Sequence, residues 1–210
     1  MTKEDPAGCC QRQLCGSARR WDMETKLILP AGASPPPGVS TTALRFTRPF
    51  KCTFFCLARP VVYVWWGDYV IAEIVSPFDC CEWRFDVGPP TSYPEQDRVH
   101  PDMASAEPGT WYSVHAHMCT CGLVAPCCAA QAPFPIHAGS RSGDRVGTIA
   151  RVFAGWCKEG CTNATNFSIA FPAEALPMQK ASLLACTMLI DFLTSEENNN
   201  KNNGGGGGNY

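Results

Sequence analysis

The chain has almost no charge imbalance. Across 210 residues, 17 Lys and Arg stand against 19 Asp and Glu, for a formal net charge of −2. Without a broad basic field for a phosphate backbone, nucleic acid is not an expected partner. The sequence also lacks a P-loop and a G-x-G-x-x-G turn, and its Ser and Asp residues do not stand at the spacings that a nucleophile, a base and an orienting group need. A bond-making enzyme is therefore not expected. No secretory n-region and h-region open the chain, because Met1 to Asp5 is charged and Cys- and Gln-rich residues follow; a cytosolic setting is the expectation. Nor is there an apolar run of bilayer length. The stretch between Lys180 and Asp191 amounts to about 15 Å of helix, against ~30 Å of hydrocarbon.

Cysteine, by contrast, is plentiful at 14 residues. Cytosolic thiols stay reduced, so a disulfide framework is not the first explanation. Adjacent pairs at Cys9-Cys10, Cys80-Cys81 and Cys127-Cys128, with C-x-C at Cys119 and Cys121, are unlike the matched C-x2-4-C repeats of structural zinc. Cys119, Cys121, Cys127 and Cys128 form the best zinc quartet available, and ordinary buried thiols are the simpler reading. His115 and His117 share one face of a strand at i and i+2 but find no compelling third ligand; solvent-facing or hydrogen-bonded imidazoles are expected.

Periodicity organises the rest. Short strands are predicted over 19–29, 41–51, 57–66, 69–75, 82–87, 111–119, 132–137 and 145–153, with Gly67-Asp68 as the tight turn of a hairpin. Pro30 to Ser40, with three consecutive prolines, reads as an extended connection, and Gly88 to Pro108 as a loop. Phe167, Ile169 and Phe171 alternate with Ser168 and Ala170 as a half-buried strand that Pro172 stops. From Met178 to about Ser195 the period becomes helical. Lys180, Thr187 and Asp191 fall on a narrow polar stripe, while Leu183, Leu184, Cys186, Met188, Leu189, Ile190, Phe192 and Leu193 cover most of the circumference. Such a helix needs burial on nearly all sides, and its length favours enclosure by protein. Many short strands followed by one such helix suggest a sheet wrapped around it in a single domain over 1–197. The Asn- and Gly-rich tail over 198–210 is expected to be disordered.

Strand, proline and helix in this order resemble the C-terminal signature of the phospholipid scramblases. That family carries a segment of the form D-A-D-N-F-G-I-Q-F-P-L-D and a helix ending L-I-D-F. Here the register gives Asn163-Ala164-Thr165-Asn166-Phe167-Ser168-Ile169-Ala170-Phe171-Pro172-Ala173-Glu174 and then Leu189-Ile190-Asp191-Phe192. Val146 to Gly155 is similar to the family's V-G-x-I-x-K-x-W-x-G, Arg48-Pro49-Phe50-Lys51-Cys52 to its R-P-L-R-C, and Cys9-Cys10 with Cys15-Gly16 to its C-C-x-R-x-C-C-G.

The resemblance implies a mainly β fold, an antiparallel tubby-like β-barrel around the C-terminal helix. It also implies that Met1 falls partway through the family domain, so that the first strands are absent and the barrel is incomplete. In function it implies an ATP-independent, calcium-responsive carrier of membrane phospholipids at the cytoplasmic face of a membrane, the plasma membrane in the first instance. The calcium ligands would be Asn163, Thr165, Phe167, Ile169, Phe171 and Glu174. Two of the family's carboxylates are neutral in this sequence, which predicts affinity of about 10⁻³ M or weaker. Thioester lipidation would fall on Cys52 and Cys56, for which ordinary strand cysteines are the competing reading. Asn163-Ala164-Thr165 and Asn166-Phe167-Ser168 match N-x-[ST], but glycosylation is not expected without a signal peptide. The alternatives from other classes are a non-translocating membrane- or protein-interaction module of the same fold and a zinc-bound regulatory domain.

Overall fold

A computed structural model describes residues 2–4, 21–26, 42–49, 61–77, 82–117, 131–152 and 166–203. Cys52, Cys56, Asn163, Thr165, Pro30 to Ser40 and the quartet Cys119, Cys121, Cys127 and Cys128 lie outside the described residues. The chain is mainly β. Among the described residues ten strands, β1 (Thr2–Glu4), β2 (Trp21–Lys26), β3 (Thr42–Arg48), β4 (Val61–Trp66), β5 (Tyr69–Val75), β6 (Glu82–Gly88), β7 (Tyr112–His117), β8 (Gln131–Ala138), β9 (Arg145–Val152) and β10 (Asn166–Ala170), form one sheet. Its order is β1 to β10 in sequence, every neighbour antiparallel. Among the described residues β1 and β10 do not pair, so the sheet is open.

Most strands follow the predicted periodicity, and β5 occupies the predicted residues. β1 was not expected, since three residues are too few for a periodic signal. The 88–108 stretch also holds more structure than a loop, with a 3-10 turn over Gln96–Arg98 and a short helix, α1 (Pro101–Ala104).

β8 survives two prolines because of where its partners end. Pro133 and Pro135 pair with Ala150 and Thr148 of β9, whereas pairing with β7 stops at Val114 opposite Ile136. The proline half of β8 is thus laddered on one side only, the position in which a missing N–H is tolerated. In the scramblase-like segment of β9, Gly147 packs so closely on the Ala170 carbonyl of β10 that a Cβ has no room.

The long helix, α2 (Pro177–Asn203), begins with Pro at its first position. The Gln179 side chain reaches back to accept from Leu176 N–H at 2.9 Å, one half of a capping box, and also accepts from Tyr112 Oη at 3.2 Å, which ties the helix start to β7. The helix runs past the predicted end into residues 198–203, read from sequence as a disordered tail. Once a helix is nucleated each further residue adds one bond, and Asn disfavours but does not forbid propagation.

Leu183, Ala185, Cys186, Leu189, Ile190 and Phe192 are almost fully buried and join Phe46, Val62, Ile74, Phe85, Phe134 and Ile149 in the main core. The helix packs most closely on β4, β5 and β6. A second, smaller core lies on the opposite face, where Val61, Tyr63, Trp65 and Val70 meet Tyr93 and Val99 of the 89–104 segment. Burial on both faces explains why β4 reads V-V-Y-V-W-W instead of alternating.

Candidate functional site

Of the residues proposed for calcium, Phe167 and Ile169 sit in the edge strand β10, opposite Arg151 and Ile149. Phe171 and Glu174 follow it and are exposed. An extended strand separates alternate residues by about 6.6 Å and sends their side chains the same way, so β10 by itself does not wrap 167 and 169 around one centre.

The helix stripe does not form one continuous polar surface. Lys180 is exposed, Asp191 is half-buried and already engaged by neighbours, and Thr187 is buried with its hydroxyl donating to the Leu183 carbonyl at 3.0 Å. Back-bonding to the preceding turn satisfies Thr187 inside its own helix. Burial pushes the Cys186 thiol up, with the charge of Asp86 adding to the effect, so this cysteine is held as an inert neutral thiol. Among the described residues no helix is long and apolar enough to cross a membrane.

Two features of the surface were missed in the sequence. The first is a polar cluster on the outer face of β6, β7 and β8. Glu82, opposite His117, is 7% exposed; its Oε1 accepts from Arg141 Nη2 at 2.8 Å and lies 3.3 Å from His117 Nδ1, while its Oε2 has no hydrogen-bond partner. His115 stacks on His137 with ring centroids 4.7 Å apart, and His137 Nδ1 is 2.7 Å from the Gly143 carbonyl. His115 Nδ1 is buried without a partner. Burial lowers the His115 pKa, and the charges of His137, Arg141 and Arg84 act in the same sense against Glu82. His115 and His117 do share a face, as their spacing predicts, but the pairing that matters for His115 is with a residue from the next strand. Among the described residues no three His, Cys, Asp or Glu side chains converge as a metal site.

The second feature is at the tip of the β4–β5 hairpin. Gly67, at φ +59°, makes the turn that sets Trp66 opposite Tyr69. Just below it, a bulge in the β4–β5 register turns Ile71 toward the helix side. An apolar cavity of about 170 Å³ opens there, lined by Leu44, Trp66, Ile71, Pro177, Met178 and Ala181. The sequence signal was the pair of aromatics flanking a two-residue turn, which reads equally well as strand propensity.

Comparison with known proteins bears on which chemistry these surfaces serve. The Scramblase family model matches residues 104–197, the segment that carries β7 to β10 and most of α2. Mouse phospholipid scramblase 1 is 25% identical over 195 residues, covering 90% of this chain and 48% of the relative. Rat phospholipid scramblase 1 is 24% identical over 194 residues with the same coverage. These matches support a scramblase-family assignment. The chain spans about half the length of the curated relatives it matches. No solved structure matches it. The scramblase match takes in His115, His117, His137 and Arg141 but not the hairpin tip, so the polar cluster lies mostly within the matched segment and the apolar cavity is shared between matched and unmatched residues.

Proposed function

We propose that this protein acts on membrane phospholipids as a scramblase, moving them in both directions between leaflets without ATP and without making or breaking covalent bonds. The observation that carries this reading is the scramblase match over residues 104–197. The physical task is to shield a polar headgroup from hydrocarbon, where an unpaired polar group costs several kcal/mol. The protein works at the cytoplasmic face of a membrane, the plasma membrane in the first instance, with thioester-linked acyl chains at Cys52 and Cys56 adding an anchor. One chain alone gives only marginal, reversible attachment. Release by hydroxylamine tests that anchor, and attachment insensitive to it removes the proposal.

Calcium is the family's regulator, and here its site is weak. Asn163 and Thr165 lend neutral oxygens, Phe167, Ile169 and Phe171 lend main-chain carbonyls at most, and Glu174 is the one carboxylate. With so little negative charge the dissociation constant is about 10⁻³ M or weaker. Isothermal titration should show no heat at micromolar calcium; micromolar binding lost in Glu174→Ala would overturn the weak-site reading.

The decisive experiment reconstitutes the purified chain in vesicles carrying a fluorescent phospholipid and adds a membrane-impermeant quencher, without ATP and with calcium chelated. Quenching beyond the outer-leaflet share is the expected result. Quenching confined to that share favours the second reading, a non-translocating interaction module. That reading has its own support in α2, whose apolar side is already packed on β4, β5 and β6.

A further inference from the structure

The β4–β5 hairpin tip and the start of α2 form an apolar corner that neither core absorbs. Trp66 is 53% exposed, Tyr69 45% and Leu176 61%, and they stand where the hairpin turn meets the first helical turn. The aromatics are not loose. Trp66 stacks on His100 with centroids 5.9 Å apart and 19° between planes, and Tyr69 meets the same ring edge-on at 5.8 Å. His100 is itself fixed, its backbone N–H donating to the Val70 carbonyl at 2.9 Å. Trp66 and Tyr69 are therefore a preorganised platform, with the exposed Asp68 carboxylate in the turn between them. Trp66 also forms one wall of the 170 Å³ apolar cavity that continues toward Pro177, Met178 and Ala181.

An aromatic platform attracts a cation through the negative faces of its rings, most strongly one whose charge is spread over methyl groups and weakly hydrated. A carboxylate beside it adds charge complementarity and disfavours an anion. A contiguous apolar cavity adds a place for hydrocarbon. One ligand class carries all three features. We propose that this corner binds a choline phospholipid, with Trp66 and Tyr69 meeting the quaternary ammonium, Asp68 supplying the opposite charge, and the cavity receiving the first methylenes of an acyl chain. The choice of a lipid as ligand rests on the scramblase reading above.

The test is a titration of the whole chain with dihexanoylphosphatidylcholine below its micelle concentration, followed through the Trp66 indole N–H resonance, which Trp66→Phe identifies. Dihexanoylphosphatidylglycerol and tail-free phosphocholine serve as comparisons. The choline lipid should shift the Trp66 signal and bind at least about fivefold tighter than the glycerol lipid, and Asp68→Asn should narrow that preference by about two- to fivefold. Phosphocholine should bind more weakly than the full lipid. Trp66→Leu, which keeps an apolar wall but no ring, should abolish the preference; Asp68→Asn, in an exposed turn, decides the matter if Trp66→Leu does not fold. Equal binding of the two lipids, a preference unchanged by Asp68→Asn, or tighter binding of a trimethyllysine peptide than of the lipid would overturn the proposal. The readout is independent of translocation. Choline-lipid binding by a protein that flips no lipid sinks the scramblase reading alone, and flipping without a Trp66-dependent choline preference sinks this one alone.

Discussion

Glu73 and Glu82 are each 7% exposed and lie on the outer face of the same sheet, but their surroundings differ in kind. Over β5, the 89–93 segment folds back and supplies donors from a short, fixed stretch. Thr91 Oγ1 donates to Glu73 at 3.1 Å, Ser92 N–H at 3.0 Å and Ser92 Oγ at 2.6 Å, and Ser92 Oγ lies 3.3 Å from Tyr63 Oη beside the small core. Over β6, Glu82 relies on Arg141 and His117, whose side chains are 50% and 75% exposed, and one oxygen is left without a partner. A carboxylate buried under a folded-back segment can have both oxygens met by fixed donors. One served by long side chains from other elements keeps a buried polar atom whose desolvation is not offset.

The largest expected effect strikes the foundation that both regions share. Leu189 is 0% exposed in the main core, so Leu189→Asp places an unpaired charge there and should cost about 4 kcal/mol or more, enough to abolish cooperative unfolding. A melting transition unchanged by this substitution would remove the helix-centred core from the account.

Matched leucine substitutions then sharpen the comparison. Glu73→Leu orphans the Ser92 N–H and should cost about 2–3 kcal/mol in urea midpoint analysis, with faster hydrogen exchange at Ser92 and Tyr93. Glu82→Leu removes an oxygen that had no partner and takes one acceptor from an arginine already half in water, so its cost should stay within about 1 kcal/mol. Equal costs would break the contrast.

A smaller effect belongs to pH. His115 has its folded pKa lowered from the ordinary value of 6.5, chiefly by burial. The unfolded chain therefore takes up a proton before the folded one does, and stability falls as pH drops through about 6.5. The melting temperature should decline between pH 7.5 and 5.5, and His115→Gln should flatten that decline. An unaltered slope would place the titration on a group other than His115.

Much of the sheet was legible because the side-chain period of 2 is a local property: β5 needed only Tyr69 to Val75 to announce itself, and Gly67-Asp68 announced the hairpin. The helix was legible from its own local period of 3.6 from Met178 onward, but neither the proline that starts it nor its run to Asn203 was. The buried carboxylates were not. Glu73 meets Ser92 across 19 residues and Glu82 meets Arg141 across 59, separations at which no periodicity survives. His115 and His117 gave a correct shared face but not the stack on His137, which comes from β8. A strand over 132–137 was legible, but not that its prolines lie beyond the end of the β7 ladder, which only the pairing shows.

The sequential strand order bears on synthesis. Each strand needs only its predecessor, so hairpins can close as the chain emerges, with little loop-closure entropy opposing them. The inner face is different, because α2 follows all ten strands. At roughly 5–20 residues per second, the residues before Pro177 take on the order of 10–35 s to appear, and Phe46, Val62 and Phe85 wait through much of that time for their cover. The nascent sheet is thus an apolar surface awaiting its last segment, and the cellular chaperones that shield such surfaces have their longest opportunity before the helix docks.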